Sequence, residues 1–249
     1  MPHILVLGGT SEASALAGLL AVRGIRATLS YAGRTANPGG QPLPVRVGGF
    51  GGTEGLLRHI AECGVTHLVD ATHPFAATMS ANAARAAGIA GIPIAALTRP
   101  AWRPGAGDRW THVADIGAAA AALDGPPRRV MLALGRMHVE AFVAQPQHHY
   151  LLRFVDAPDA APALPRHSLV IARGPFNADS DAALMALHGI EIIVCKNAGG
   201  GGAEAKLIAA RRLELPVIII DRPELPRRTE FHDAKAVVRW LGHDADRGV

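Results

Sequence analysis

A chain of 249 residues with a net charge of +4, 18% charged and 49% hydrophobic residues has room for a substantial core and the balance of a folded protein. No apolar run approaches the ~20 residues of a membrane helix, no basic cluster is dense enough for a nucleic-acid stripe, and the first residues lack a signal peptide's basic start. The two cysteines, Cys63 and Cys195, provide neither a disulfide framework nor a zinc spacing; no metal site is expected, and the expected compartment is the cytoplasm.

The first stretch organises the rest. Ile4 to Leu7 reads as a buried parallel strand. Gly8 and Gly9 permit a tight turn, Thr10 or Ser11 can cap the helix that follows, and Glu12 sits in its first turn. A strand, a glycine turn and a helix N-terminus together make an anion site, the way a Rossmann unit holds a dinucleotide pyrophosphate. The later glycines of G-x-G-x-x-G are absent. An ordinary βα turn explains the same residues almost as well.

Arg26 to Ser30 reads as the second strand, ended by Tyr31-Ala-Gly-Arg-Thr35. An acidic residue at that point favours a free ribose 2′-hydroxyl, whereas arginine and hydroxyl groups suit a 2′-phosphate. Ser30, Gly33, Arg34 and Thr35 stand there with no Asp or Glu, so the expected cofactor is NADPH. Val45 to Val47 is a short strand, Thr53 to Cys63 an amphipathic helix stopped by Gly64, and His67 to Val69 the next strand. That strand runs into Asp70-Ala-Thr-His-Pro-Phe-Ala. Polar residues at the carboxyl end of a parallel strand lie where open α/β sheets bind ligands. Thr72 is assigned to the cofactor, and His73, oriented by Asp70, is the candidate acid, although a histidine bonding a backbone group or capping the helix explains it better and solvent is an alternative proton source. Pro74 is expected to open a helix that runs to about Gly88.

Ile92–Leu97 and Trp110–Ala114 are further strands, with a basic and aromatic loop from Thr98 to Pro104 after the first. Gly117 to Leu123 reads as a helix and Asp124-Gly-Pro-Pro127 as a linker. A second α/β set follows, with strands at Val130–Leu134, Tyr150–Phe154, Leu169–Ala172, Ile190–Cys195 and Val217–Ile220. Its helices fall near 137–144, 179–188, 203–213 and 232–241. The expected architecture is α/β, two Rossmann-like parallel-sheet domains with a cleft between them, divided into residues 1–125 and 126–249.

The second half carries its own glycine loop, Cys195-Lys-Asn-Ala-Gly-Gly-Gly-Gly-Ala-Glu-Ala-Lys206, flanked by two of the chain's three lysines. In so arginine-biased a chain, a retained lysine suggests a specific carboxylate or phosphate partner. A surface turn accounts for the glycines but not for the lysines.

Gly8-Gly-Thr10, Asp70-Ala-Thr-His-Pro-Phe-Ala, Arg99-Pro-Ala-Trp102, Gly135-Arg136, Ala172-Arg-Gly-Pro-Phe176 and Lys196-Asn-Ala-Gly-Gly200 come in the order and spacing of the precorrin-6A reductases. The chain resembles that family over essentially its whole length; Ala198 departs from it, where serine is expected. The resemblance implies an NADPH-dependent enzyme of corrin biosynthesis that reduces a ring double bond of precorrin-6A, giving precorrin-6B. A macrocycle bearing many carboxylates then needs cations, and Arg99, Arg136, Arg173, Lys196 and Lys206, with Asn197, Gly199 and Gly200, are assigned to it. The expected partner is a small tetrapyrrole, the expected state a monomer. A cobalt-containing substrate and a non-enzymatic NADPH-sensing module are the alternatives. A short-chain dehydrogenase is excluded, because Thr35 and Phe154 stand where Tyr31 and Tyr150 would each need a lysine four residues on. A methyltransferase would want the acid missing after the second strand.

Overall fold

The computed structural model describes residues 2–32, 40–158, 160–174 and 176–246. The elements run β1 (Ile4–Leu7), α1 (Ser11–Val22), β2 (Ala27–Tyr31), β3 (Val45–Val47), α2 (Gly52–Cys63), β4 (His67–Asp70), α3 (Ala77–Ala90) and β5 (Ile94–Leu97). Then come β6 (Arg109–Val113), α4 (Ile116–Ala121), β7 (Arg129–Ala133), a 3₁₀ segment (Arg136–Ala144), β8 (His149–Phe154), β9 (His167–Ile171) and α5 (Ala178–Leu187). The chain closes with β10 (Ile192–Lys196), a 3₁₀ turn (Gly201–Ala203), α6 (Ala205–Arg212), β11 (Pro216–Ile220), β12 (Thr229–Phe231) and α7 (Ala234–Asp246).

Two six-stranded sheets result, in the orders β3-β2-β1-β4-β5-β12 and β9-β8-β7-β10-β11-β6. Every strand pair in both is parallel. Each sheet has the 3-2-1-4-5-6 order of a dinucleotide-binding fold. The first borrows its sixth strand from the end of the chain, and the second takes its sixth from the strand before its own first. This moves the expected boundary. One unit is Met1–Arg99 with Glu224–Val249, the other Pro100–Pro223, so a single cut at 125/126 misassigns β6, α4, β12 and α7. Strand order decides the matter, because β6 pairs β11 while β12 pairs β5.

In the first unit, Ile4 and Val6 join the cluster that contains Leu16 and Leu20 of α1 and Val237 and Leu241 of α7. Leu5 and Leu7 point the other way, into a cluster with Leu56 and Ile60 of α2 and Ala83 and Ala87 of α3. The alternation is that of a strand covered on both faces, and each fully buried leucine contributes about 1.5–3 kcal/mol. In the second unit, Met131, Leu151, Ile193, Cys195, Val217 and Ile219 pack with Met185 and Leu207.

Helix α3 does not start at Pro74. Residues 73–76 form a turn, closed by Ala76 N–H donating to the His73 carbonyl, and α3 runs Ala77–Ala90 with Gly88 inside it and Gly91 as its C-cap. The segment expected as a helix at 137–144 is 3₁₀ in character.

Candidate functional site

In the first unit the site is built where β1, β2, β3 and β4 end. Gly8 N–H donates to the Ser30 carbonyl (2.8 Å) and Ala71 N–H to the Leu7 carbonyl (2.9 Å), which locks the turn against both neighbouring strands. Gly9 has φ of +119°, a conformation open to glycine and costly for other residues. Thr10 caps α1: its Oγ1 accepts Ala13 N–H (3.1 Å) and donates to the Ala71 carbonyl (2.8 Å). That hydroxyl orders the turn and ties it to β4. Ser11 Oγ donates to Glu12 (3.1 Å). The first N–H groups of α1 have no intrahelical acceptor, so they present a positive helix end at the switch point between β1 and β4. Glu12 would repel an anion there, but Arg99 lies 3.3 Å from its carboxylate. Arg99, assigned to the substrate from the sequence, is thus placed in the first unit beside the glycine turn.

A hollow opens at the same strand ends, lined by Leu7, Gly8, Ser30, Ala32, Gly48, Gly49, Phe50, Thr72 and Met79. Gly8, Ser30 and Thr72, all assigned to the cofactor from the sequence, line this one hollow. Gly33, Arg34 and Thr35 lie outside the described residues. This arrangement fits a dinucleotide on its own geometry: a backbone turn without a Cβ, a capped helix start and a recess beside them.

Asp70 is buried, and its carboxylate has its own work. Oδ1 accepts both Thr72 N–H (3.1 Å) and Thr72 Oγ1–H (2.6 Å), while Oδ2 pairs with Arg228. Both members of that ion pair are almost fully buried. His73 is exposed, and its Nδ1 accepts the N–H of Phe75 (3.2 Å). The ring is therefore held by its own turn. With Nδ1 accepting, the neutral ring carries its proton on Nε2. An imidazolium could not accept that bond.

The second unit separates the residues assigned to substrate. Lys196 Nζ lies 2.6 Å from His138 Nε2, at the end of β10. Arg136 is exposed at the end of β7 and lines a cavity of about 370 Å³ with Met137, Val139, Glu140, Phe154, Pro158, Ala160, Pro162 and Ala163. Arg173 is exposed and paired with Asp156 at 3.1 Å.

Four of the residues assigned to substrate are engaged within the loop itself. Lys206 is 7% exposed, donates to the Ala203 carbonyl and lies with Nζ 4.8 Å from the centre of the Trp102 ring, while burial pushes its ammonium pKa down. It supports the loop from within. The Asn197 amide is spent on Trp102, accepting its N–H (2.8 Å) and donating to its carbonyl (3.1 Å). Gly199 is a packing glycine, since a Cβ would lie 2.1 Å from the Pro100 carbonyl oxygen. Gly200 contributes its carbonyl to the Trp102 indole N–H (3.0 Å).

Several residues that hold these sites carried no sequence signal. Arg228 reaches Asp70 across 158 positions. Arg222 braces the glycine loop by donating to the carbonyls of Asn197 and Ala198, both at 3.0 Å. Gly55, unusual inside a helix, is explained by the loop before it: a Cβ there would fall 1.6 Å from the Phe50 carbonyl oxygen.

Residues 3–242 match the family described as Precorrin-6x reductase CbiJ/CobK. The chain belongs to this family. It is 54% identical, over all of its length and 98% of the relative's, to the precorrin-6A reductase of Rhodobacter capsulatus. Identity is 46% to that of Rhodococcus erythropolis, across 97% of this chain and 98% of the relative. The cobalt-precorrin-6A reductase of Priestia megaterium is 31% identical across 96% and 97%. A solved structure of CobK precorrin-6A reductase superposes with a TM-score of 0.93 at 54% identity, covering 100% of this chain and 98% of that one.

Proposed function

We propose that the chain reduces a ring double bond of precorrin-6A to give precorrin-6B, with NADPH as the reductant. The observation that carries this reading is the first-unit turn: a capped α-helix start at the switch point of a 3-2-1-4-5-6 sheet, with Glu12 matched by Arg99, in a chain so similar to precorrin-6A reductases from end to end. The Gly8–Gly9 turn and the first N–H groups of α1 receive the pyrophosphate. Ser30 and Thr72, which line the recess beside that turn, serve the adenosine end, and Gly33, Arg34 and Thr35, outside the described residues, are assigned to it on their sequence alone. When bound, the reduced nicotinamide supplies the hydride. The chain's own work is to hold donor and acceptor in register and to keep water from competing.

Arg136, Arg173 and Lys196 are the second unit's candidates for the substrate's carboxylates, and the cavity beside Arg136 offers an apolar seat for ring edge. Solvent delivers the proton, since His73 would have to surrender its bond from Phe75 to become an acid. The metal-free macrocycle is favoured over the cobalt complex because the precorrin-6A reductases are 42–54% identical to this chain and the cobalt-precorrin-6A reductases 27–31%.

The test is to follow the near-ultraviolet absorbance of the reduced nicotinamide with precorrin-6A, cobalt-precorrin-6A or no acceptor. Decay with the metal-free ring and NADPH is the expected outcome. Cofactor binding without decay on either ring would return the protein to the sensing module.

A further inference from the structure

Residues that were never candidates stand at the adenosine end of the first unit. Arg46 lies on β3 in register with Ser30 on β2. Its Nη1 donates to the Gly48 carbonyl (2.5 Å) and, at the long limit, to Ser30 Oγ (3.5 Å); Nη2 donates to the Gly49 carbonyl (3.0 Å). Its Cζ sits 3.8 Å from the centre of the Phe50 ring, so that ring covers one face of the guanidinium. The side chain is half-buried, and no carboxylate pairs with it among the described residues.

An arginine has five N–H groups. Nη1 uses both of its own here and Nη2 uses one. That leaves Nε–H and one N–H of Nη2 without an acceptor among the described residues. These are the two nitrogens of the side-on fork, which grips a carboxylate or phosphate bidentately. The fork is already oriented, because two carbonyls fix the plane and Phe50 fixes the face. Little side-chain freedom remains to be lost on binding. The residues that hold the guanidinium, Ser30, Gly48, Gly49 and Phe50, line the hollow together with Gly8 and Ala32. In this strand order the adenosine ribose of a dinucleotide meets the end of the second strand. Gly55 belongs to the same device, since only a residue without Cβ lets Phe50 lie so close to α2.

We infer that Arg46 reads the 2′-phosphate of NADPH through its Nε–Nη2 fork, with Phe50 and the Gly48–Gly49 carbonyls holding it in place. The inference rests on the NADPH reading above and adds to it a specificity-determining residue. An arginine already bonded to backbone carbonyls cannot turn to solvent without losing those bonds, so its charge stays at the ribose end. A phosphate dianion meets it with a charge-assisted pair, whereas the 2′-hydroxyl of NADH offers one weak acceptor.

The experiment titrates adenosine 2′,5′-bisphosphate, 5′-AMP, NADPH and NADH separately into wild type, Arg46→Gln and Arg46→Lys. Unfolding midpoints are measured alongside, to verify that each variant is folded. Arg46→Gln is expected to lower affinity for the two 2′-phosphorylated ligands by about tenfold to a hundredfold and to leave 5′-AMP and NADH unchanged. Arg46→Lys keeps the charge without the fork and should fall between the two. A folded Arg46→Gln that retains the full preference overturns the assignment, as does an equal loss for all four ligands, which would make Arg46 a loop brace. A lysine variant with undiminished preference overturns the bidentate reading even if the glutamine variant does not fold. If wild type itself shows no preference for the 2′-phosphate, it is the NADPH reading that fails.

Discussion

The Asp70–Arg228 pair offers the most demanding test of how the first unit is assembled. Arg228 stands immediately before β12, the strand supplied from the end of the chain, and reaches the carboxylate at the end of β4. Its side chain is 5% exposed and that of Asp70 1%, so neither charge can turn to water when the other is removed. Breaking a buried pair from one side costs about 3–5 kcal/mol, because an uncompensated charge is left behind. Asp70→Asn keeps a carbonyl oxygen for the two bonds from Thr72 and loses the charge alone, so about 3 kcal/mol is expected. Asp70→Ala also strands Thr72, at roughly 1 kcal/mol for each bond, and should cost about 5. Arg228→Met leaves the carboxylate unpaired and should approach the same range, but Asp70→Asn with Arg228→Met should cost far less than the sum of the singles. Urea unfolding followed by circular dichroism measures all four proteins. An additive double variant, or an Asp70→Asn loss under about 1 kcal/mol, would refute the claim that the pair is buried and coupled.

Burial pushes the Tyr150 hydroxyl up to about 12, while it donates to the Gln145 carbonyl at 2.8 Å. A folded value above the unfolded one means that this group's stability is intact below about pH 10 and drains away as pH rises through 12. A late ultraviolet tyrosinate step absent from Tyr150→Phe checks it. Cys195 is buried, and burial raises its thiol pKa, whereas Cys63 is partly exposed; a disulfide reagent should therefore label one thiol in native protein and two after unfolding. Lys196→Ala should weaken tetrapyrrole binding by about 1.5–3 kcal/mol with NADPH binding unchanged, while Lys206→Met should spare both; a cofactor-specific loss in the first would move that loop to NADPH. His73→Ala should lower turnover by less than the roughly 100-fold expected on removing a positioned acid, and a larger loss with intact NADPH binding would restore it as the donor.

The sequence was legible where cause and effect are close along the chain. Apolar runs such as Ile4–Leu7 and Val217–Ile220 announce buried parallel strands because both their faces are covered, and Gly64 ends α2 by local geometry alone. The sequence was illegible where the partner is remote. Thr229–Phe231 is three residues long with two exposed, and only its pairing with β5 makes it a strand. The Asp70 carboxylate looked free for His73 because nothing near it hints at an arginine 158 positions on. Lys206 looked like a ligand because rarity marks a residue as retained without saying which way it points, and it points inward.

The two sheets share one strand order, and their first turns explain why they are not two copies of one site. After β1, Gly8 and Gly9 lead into an α-helix capped by Thr10, whose aligned peptides concentrate positive potential where its free N–H groups point. After β7, Gly135 leads into a 3₁₀ segment with no side-chain cap. Its tighter winding gives poorer hydrogen-bond geometry, and the same place in the sheet lacks an α-helix start to receive a pyrophosphate. What that turn provides is Arg136, a side-chain cation at the rim of a largely apolar cavity. A backbone anion site suits a diphosphate common to every dinucleotide; a side-chain cation beside an apolar recess suits a flat ring edged with carboxylates. The second glycine loop follows the same division. Its Gly199 is fixed by contact with the Pro100 carbonyl, its Asn197 by Trp102 and its Lys206 by burial. Lys196, half-buried at the end of β10, has its ammonium beside His138 Nε2 and not turned into the loop, and it is there that a substrate carboxylate should be sought.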